Sequence, residues 1–110
     1  MDEPAVGGIV LVLFPFSNLK GQKLRPALVL AKVEFANYIL CQITSRPYSS
    51  TTAIKLTQAD FVSGGLPVVS FVRPDKLFTA DASLVEKVVG KLAQKKRLEI
   101  LNAVQKIFAA

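Results

Sequence analysis

Residues 8–14, GIVLVLF, form an uninterrupted apolar run rich in β-branched side chains. Such a run is typical of a strand that is buried on both faces. Even when it is extended through Phe16 it is interrupted by Pro15 and is far shorter than the roughly 20 residues that a membrane-spanning helix needs. The run therefore predicts the first strand of a packed core and no membrane span.

The strand pattern returns after a polar loop. Residues 15–24, PFSNLKGQKL, are rich in the residue types that turns favour. Residues 27–33, ALVLAKV, then resume the strand pattern after a proline, a residue that is tolerated at strand starts, so we expect Arg25 at a loop-to-strand junction. A third strand, YILCQIT, follows at residues 38–44 and leads into Ser45 and another polar stretch.

Shorter apolar segments continue the β pattern. Residues 53–56 and 68–72 predict a fourth and a fifth strand, and the glycine-containing segment 57–67 between them favours a helical turn. The fifth strand runs directly into Arg73, Pro74, Asp75 and Lys76. We interpret these four residues as a charged corner.

From Asp81 onward the apolar period changes from two to about 3.6. The residues at this spacing are Leu84, Val85, Val88, Val89 and Leu92, and Ser83 with Glu86 fits a capping box. A second amphipathic segment carries Leu98, Leu101, Val104 and Phe108 on one stripe. We therefore predict one domain over residues 1–110, of the β-rich α+β class. Two C-terminal helices would close one side of an antiparallel barrel or bent sheet.

The composition of the chain limits which partners and catalytic groups it can have. Fourteen Lys and Arg against eight Asp and Glu give a formal charge of +6, which makes a polyanionic partner plausible. The absence of histidine excludes histidine acid–base pairs, Ser-His-Asp triads and histidine metal sites, so we expect neither a metal nor a cofactor.

Cys41 is the only cysteine, which rules out an internal disulfide, and we expect it to be buried. The N-terminus lacks the basic region of a secretory signal, which favours a cytoplasmic protein.

Three charged residues stand at predicted strand boundaries: Arg25, Arg73 and Asp75. An arginine fork holds phosphate at two points and stabilises added negative charge, and a nearby carboxylate can accept a proton from a ribose hydroxyl. Thr44 and Ser45 add hydroxyl donors. Each has a plainer explanation: Arg73 and Asp75 as a surface ion pair, Arg25 as an exposed edge charge, and the two hydroxyl residues as ordinary strand ends.

The order of these segments resembles the PemK/MazF toxin family over nearly the whole chain. The resemblance is carried by GGIVLVLFPFSNLKGQKLRPALVL, YILCQITS, VRPDKLFTAD, and VGKL followed by an amphipathic helix. It implies an SH3-like small barrel of the CcdB/PemK type and a homodimer with a groove across its interface. It also implies sequence-selective, metal-independent cleavage of single-stranded RNA by the ribose 2′-hydroxyl, with neutralisation by a cognate antitoxin.

By position, the resemblance makes Arg25 and Thr44 the leading catalytic candidates and Arg73 with Asp75 a second charged pair. The candidate RNA-binding residues are Ser17, Asn18, Lys20, Gln22, Lys23, Ser45 and Lys76. The chain departs from relatives that have a histidine in the first loop, and from those with an acidic residue where Gly8 stands. Two other functions stay open: a barrel toxin that inhibits a protein such as a topoisomerase, and a non-catalytic nucleic-acid-binding barrel.

Overall fold

The computed structural model describes residues 3–14, 23–48 and 50–109, which form seven strands and one α-helix. The strands are β1 (Gly8–Phe14), β2 (Lys23–Val33), β3 (Asn37–Thr44), β4 (Ile54–Leu56), β5 (Phe61–Gly64), β6 (Ser70–Asp81) and β7 (Val85–Leu92), and the helix is α1 (Gln94–Phe108). Short 3-10 turns lie at Glu34–Ala36, Gln58–Asp60 and Ala82–Leu84. In the described ranges no helix is long and apolar enough to cross a membrane.

All seven strands belong to one antiparallel sheet in the order β4-β6-β3-β2-β1-β7-β5. A flat sheet of this size would separate its two edge strands by about 29 Å. The edge strands β4 and β5 are nevertheless consecutive, and the chain from Leu56 to Phe61 spans about 18 Å at full extension. The sheet therefore has to curl until its edges approach each other. The predicted small barrel is confirmed as this curled half-barrel.

β1 is buried on both faces, as its uninterrupted apolar sequence predicts. Ile9 is fully buried in a cluster that includes Ile100 and Val104 of α1. Val10 and Val12 are fully buried in a second cluster, on the opposite face of the strand. Phe14 lies in this second cluster too, and its ring meets that of Phe78 edge-on, with centroids 4.8 Å apart. The helix thus packs on the first cluster, which the edge strands β4 and β5 also line through Leu56 and Phe61.

The prediction of a helix over residues 84–92 is wrong, because this segment is strand β7. Its pairing with β1 shifts register twice, which leaves Glu86 and Val89 without partners on β1. Each such bulge adds one residue and reverses which face the next side chain meets. Val85 and Val88 consequently pack on the second cluster, while Leu92 packs on the first. The apolar residues of this strand are therefore spaced like those of a helix.

The predicted capping box of Ser83 and Glu86 is wrong for the same reason. The Ser83 N–H instead donates to the Asp81 carboxylate at 2.7 Å and fixes the turn before β7. There is consequently one C-terminal helix in the described ranges, where two were predicted. α1 itself is confirmed, but its buried stripe is Ile100 and Val104, so the predicted stripe is displaced around the helix.

The prediction of a charged corner at residues 73–76 is also wrong, because these residues lie inside the 12-residue strand β6. Leu77 pairs with Cys41 and Val72 pairs with Ile43, so the four residues between them oppose Gln42 alone. Proline lacks the N–H that a sheet ladder uses, and such a bulge is one of the few places in a sheet that accept it. Pro74 is buried at this position.

Candidate active site

The site forms where β2 and β3 separate. Their ladder ends at the pair Ala27 and Gln42. Arg25 and Thr44 stand two residues beyond that pair on their respective strands, so continuing the register places them opposite each other. Arg25 lies within β2 and pairs with Val12 of β1, which corrects the prediction that it sits at a loop-to-strand junction.

A pocket of about 290 Å³ occupies this opening. It is lined by Leu11, Leu24, Arg25, Pro26, Ile43, Thr44, Ser45, Leu66, Pro67, Val68 and Ser70. Three of the predicted site residues, Arg25, Thr44 and Ser45, therefore share one cavity. The wall from the segment between β5 and β6, residues 66–68, is apolar and was not predicted, because nothing local indicates that this segment folds over the end of β3.

Arg25 is the charged group of the pocket. Its side chain is exposed, and none of the ion pairs among the described residues includes it. A guanidinium offers five N–H donors in a planar fork that matches a phosphate. The pocket therefore combines an arginine with hydroxyl side chains and apolar walls, a combination that suits a phosphodiester with an attached base.

Thr44 shapes the loop that leaves the pocket. Its Oγ1 accepts a hydrogen bond from the Arg46 N–H at 3.0 Å and lies 3.3 Å from the Arg46 carbonyl oxygen, to which the hydroxyl can donate. A hydroxyl has one donor and two lone pairs. After it accepts from Arg46, it keeps a lone pair, and its O–H can turn from the Arg46 carbonyl to a ligand in the pocket.

Arg73 and Asp75 form a two-point ion pair. The Arg73 Nε and Nη2 lie 3.3 Å and 3.2 Å from the two carboxylate oxygens of Asp75. The side chain of Arg73 is 21% exposed and that of Asp75 is 42% exposed, so the pair is partly screened from water. Both residues belong to the β6 bulge opposite Gln42, on the strand next to β3. In the part of the chain that the structure describes, neither lines the pocket.

The other predicted site residues either do not line the pocket or lie outside the described residues. Lys23 and Lys76 are exposed, on β2 and β6, and do not line the pocket as described. Ser17, Asn18, Lys20 and Gln22 lie outside the described residues. In the described ranges, no group of three or more His, Cys, Asp or Glu side chains is placed to hold a metal ion.

Two features near the site were missed. Arg46 and Tyr48 follow the pocket residues directly, and both are exposed. The only signal in the sequence was an arginine and a tyrosine flanking a proline in a polar loop.

Gly8 is buried, and a Cβ there would lie 3.0 Å from the Ala5 carbonyl oxygen. An acidic side chain at this position therefore requires the N-terminal turn to shift.

The fold is similar to that of several solved structures. A complex of an endoribonuclease with its cognate antitoxin, from a mycobacterial species, aligns over 97% of this chain and 96% of its own, at a TM-score of 0.76 and 14% identity. A MazE–MazF crystal structure from Deinococcus radiodurans aligns over 96% of both chains, at 0.75 and 22%. The Mycobacterium tuberculosis toxin MazF-mt6 aligns over 93% of this chain and 96% of its own, at 0.72 and 20%.

No curated protein sequence matches the chain. At the level of families, residues 5–108 match the model that describes the PemK-like, MazF-like toxins of type II toxin–antitoxin systems. That match includes all seven strands and α1. The chain belongs to the PemK-like, MazF-like toxin family.

Proposed function

We propose that this toxin is a sequence-selective, metal-independent endoribonuclease that cleaves single-stranded RNA in the cytoplasm. The observation that carries the proposal is the single pocket shared by Arg25, Thr44 and Ser45 at the divergent ends of β2 and β3. Support also comes from structural neighbours that are described as endoribonucleases. The net charge of +6 favours association with a phosphate polymer.

The role that we propose for Arg25 is electrostatic. A guanidinium stays protonated in proteins, so Arg25 is a poor base at neutral pH. It is well suited to hold the scissile phosphate and to stabilise the extra negative charge of a pentacoordinate phosphorane. Thr44 and Ser45 would donate hydroxyl hydrogen bonds to the same phosphate or to a base edge. The first-loop residues Ser17 to Lys23 would help to read the RNA.

The proposed reaction needs no metal, because the RNA supplies its own nucleophile. The ribose 2′-oxygen attacks the adjacent phosphorus, the bond from phosphorus to the 5′-oxygen breaks, and the products are a 2′,3′-cyclic phosphate and a 5′-hydroxyl. The 2′-hydroxyl loses one proton and the leaving 5′-oxygen gains one. Since the chain has no histidine, the proton acceptor must be another group, and a carboxylate is the natural candidate.

Asp75 is the carboxylate that we propose for this second part of the site. Its two-point contact with Arg73 gives both side chains a defined orientation, and the cationic Lys76 follows Asp75 in the same strand. In this proposal Arg73 binds a second phosphate of the RNA. Asp75 orients Arg73 in the free protein. When RNA is bound, that second phosphate takes the place of Asp75 on Arg73, and the released carboxylate turns toward the pocket to accept the 2′-proton.

The partners that we propose are a cognate antitoxin and a second copy of the chain. Structural neighbours described as complexes with an antitoxin, among them the mycobacterial one, support the first. For the homodimer, α1 carries exposed apolar side chains, with Leu98 at 44% and Phe108 at 73% exposure. Sedimentation at micromolar concentration should give the mass of a dimer. Detection of a monomer alone would show that no groove forms between two copies of the chain.

One experiment separates this function from its rivals. Purified protein is incubated with a defined single-stranded RNA in EDTA, with the all-deoxy strand as control. The nuclease produces discrete RNA fragments and leaves the DNA intact. A non-catalytic nucleic-acid-binding barrel would bind RNA without cutting it. A toxin directed at a protein such as a topoisomerase would do neither, and either of these results would overturn the proposal.

A further inference from the structure

The loop that follows β3 presents an aromatic ring that the fold does not use. Tyr48 is 85% exposed, whereas Tyr38 is buried at 2%. A tyrosine contributes to stability mainly by burying its ring, so packing does not explain Tyr48. Its backbone is also in the left-handed region, with φ of 56°, where glycine or asparagine is the less strained choice. Neither the core nor the turn therefore accounts for a tyrosine here.

The turn that carries Tyr48 is held in place from the pocket. The Thr44 hydroxyl accepts from the Arg46 N–H at 3.0 Å, and the Ser50 N–H donates to the Pro47 carbonyl at 3.1 Å. Pro47 has a fixed φ, which stiffens the turn further. Tyr48 is four positions after Thr44, so their Cα atoms are at most about 14 Å apart. Tyr48 thus lies on the turn that leaves the pocket, although it does not line the pocket itself.

The surroundings of the ring favour a nucleic acid over an apolar partner. Arg46 is exposed, and no carboxylate within the described ranges pairs with it. The flanking residues at 45 and 50–52 are serine or threonine. Single-stranded nucleic acids bind where aromatic rings stack on bases and nearby cations follow the backbone. An aromatic ring beside an arginine in a polar loop fits that pattern.

We propose that Tyr48 is a stacking platform for an RNA base close to the cleaved phosphate, with Arg46 beside the phosphate backbone. This rests on the proposed function, since it assigns a base-binding position to the same site. Stacking accepts every base because each has a π face. Tyr48 therefore adds affinity and aligns the strand, while the choice of sequence belongs to other residues. Thr44 gains a positioning role, because its hydroxyl holds the turn.

The test measures RNA binding without cleavage. The probe is a fluorescein-labelled single-stranded RNA in which every 2′-hydroxyl is methylated, and its dissociation constant is read by fluorescence anisotropy. Tyr48→Gly removes the ring and suits the left-handed backbone, so the variant should fold. We expect it to weaken binding roughly tenfold, and Tyr48→Phe, which keeps a ring, to stay within about twofold of wild type.

Phe35 provides a matched control. It is 86% exposed and has φ of 61°, but it lies at the other end of the β2–β3 hairpin. Phe35→Gly should leave RNA affinity unchanged. Equal losses for Phe35→Gly and Tyr48→Gly, or no loss for either, would overturn the platform. So would a Tyr48→Gly defect that appears only in antitoxin binding.

A double-mutant cycle tests stacking directly. Removing single bases from the probe should identify one abasic position at which Tyr48→Gly causes no further loss of affinity. Additive losses at every position would contradict stacking. The binding assay does not depend on turnover, so a wild-type protein that binds the probe but cuts no RNA would overturn the proposed function and leave the platform standing.

Discussion

The thiol of Cys41 donates a hydrogen bond to the backbone carbonyl of Arg73, with Sγ and O 2.9 Å apart. Cys41 is fully buried. Burial, reinforced by the negative charge of Asp75, raises the pKa of the thiol to about 12. The group therefore keeps its proton at neutral pH and remains a donor. The contact ties β3, which carries Thr44, to the β6 bulge that carries Arg73.

Removing this donor should loosen the bulge. We expect Cys41→Ala to lower the free energy of unfolding by about 1–3 kcal/mol, because it leaves the Arg73 carbonyl without its donor and opens a small cavity. RNA cleavage should also fall, since Arg73 loses its fixed position. Urea denaturation and a cleavage assay measure the two effects. Cys41→Ser, which keeps a donor, should recover part of the activity. Unchanged stability and cleavage in Cys41→Ala would show that the contact positions nothing.

Substitution of Arg25 should separate activity from folding. Its side chain is exposed, so Arg25→Ala should change the free energy of unfolding by no more than about 0.5 kcal/mol. Loss of a group that stabilises the transition state should reduce the cleavage rate by about a hundredfold or more. Lys91→Ala, which removes an exposed charge on β7 away from the pocket lining, is the matched control and should cleave normally. Normal cleavage by folded Arg25→Ala would remove Arg25 from the mechanism.

The contact between β5 and β7 depends on a glycine. Gly64 has φ of +64°, and a Cβ there would overlap the Val89 carbonyl oxygen. Gly64→Ala should therefore cost at least about 2 kcal/mol of unfolding free energy, read from urea midpoints. In Gly65→Ala the new Cβ meets the flexible Gln58 amide, so its cost should be smaller, about 1 kcal/mol. A reversed order of the two costs would contradict this packing.

The turn before β7 should make stability depend on pH. Hydrogen bonds from the Ser83 hydroxyl and N–H hold the pKa of Asp81 below its usual value of 3.8. A lowered carboxyl pKa stabilises the folded state fully above pH 3.8, and this contribution is lost as the pH falls through the folded-state pKa. Asp81→Ala should unfold at lower urea concentration than wild type at pH 7. The gap should narrow below pH 3.8, and a gap independent of pH would refute the assignment.

Strands that carry no bulge residue of their own could be predicted from the sequence. β1 and β3 were correct because their apolar residues follow one uninterrupted strand pattern. β7 was mistaken for a helix because two bulges, set by its partner β1, give its valines helical spacing. The segment around Arg73 was mistaken for a corner because Pro74 is tolerated only through a bulge that β3 defines. In both cases the error arose from a partner strand that the local sequence does not contain.

The candidate site could be predicted only in part from the sequence. Arg25 and Thr44 were expected to act together, and the β2–β3 register does bring them to one pocket. The apolar wall at residues 66–68 was not foreseeable, because it depends on how the curled sheet folds over its own edge. Tyr48 was missed because exposure of an aromatic ring is a property of the folded chain that the local sequence does not reveal.

In the proposed mechanism the RNA's own 2′-hydroxyl cuts the strand in the Arg25 pocket. The most direct test is to map a cleavage site in EDTA and then replace only the 2′-hydroxyl of the nucleotide on the 5′ side of the cut with hydrogen. The all-ribose strand should give a 2′,3′-cyclic phosphate and a 5′-hydroxyl, and the substituted strand should not be cut at that bond. Continued cleavage of the substituted bond, or products with a 5′-phosphate, would contradict this mechanism.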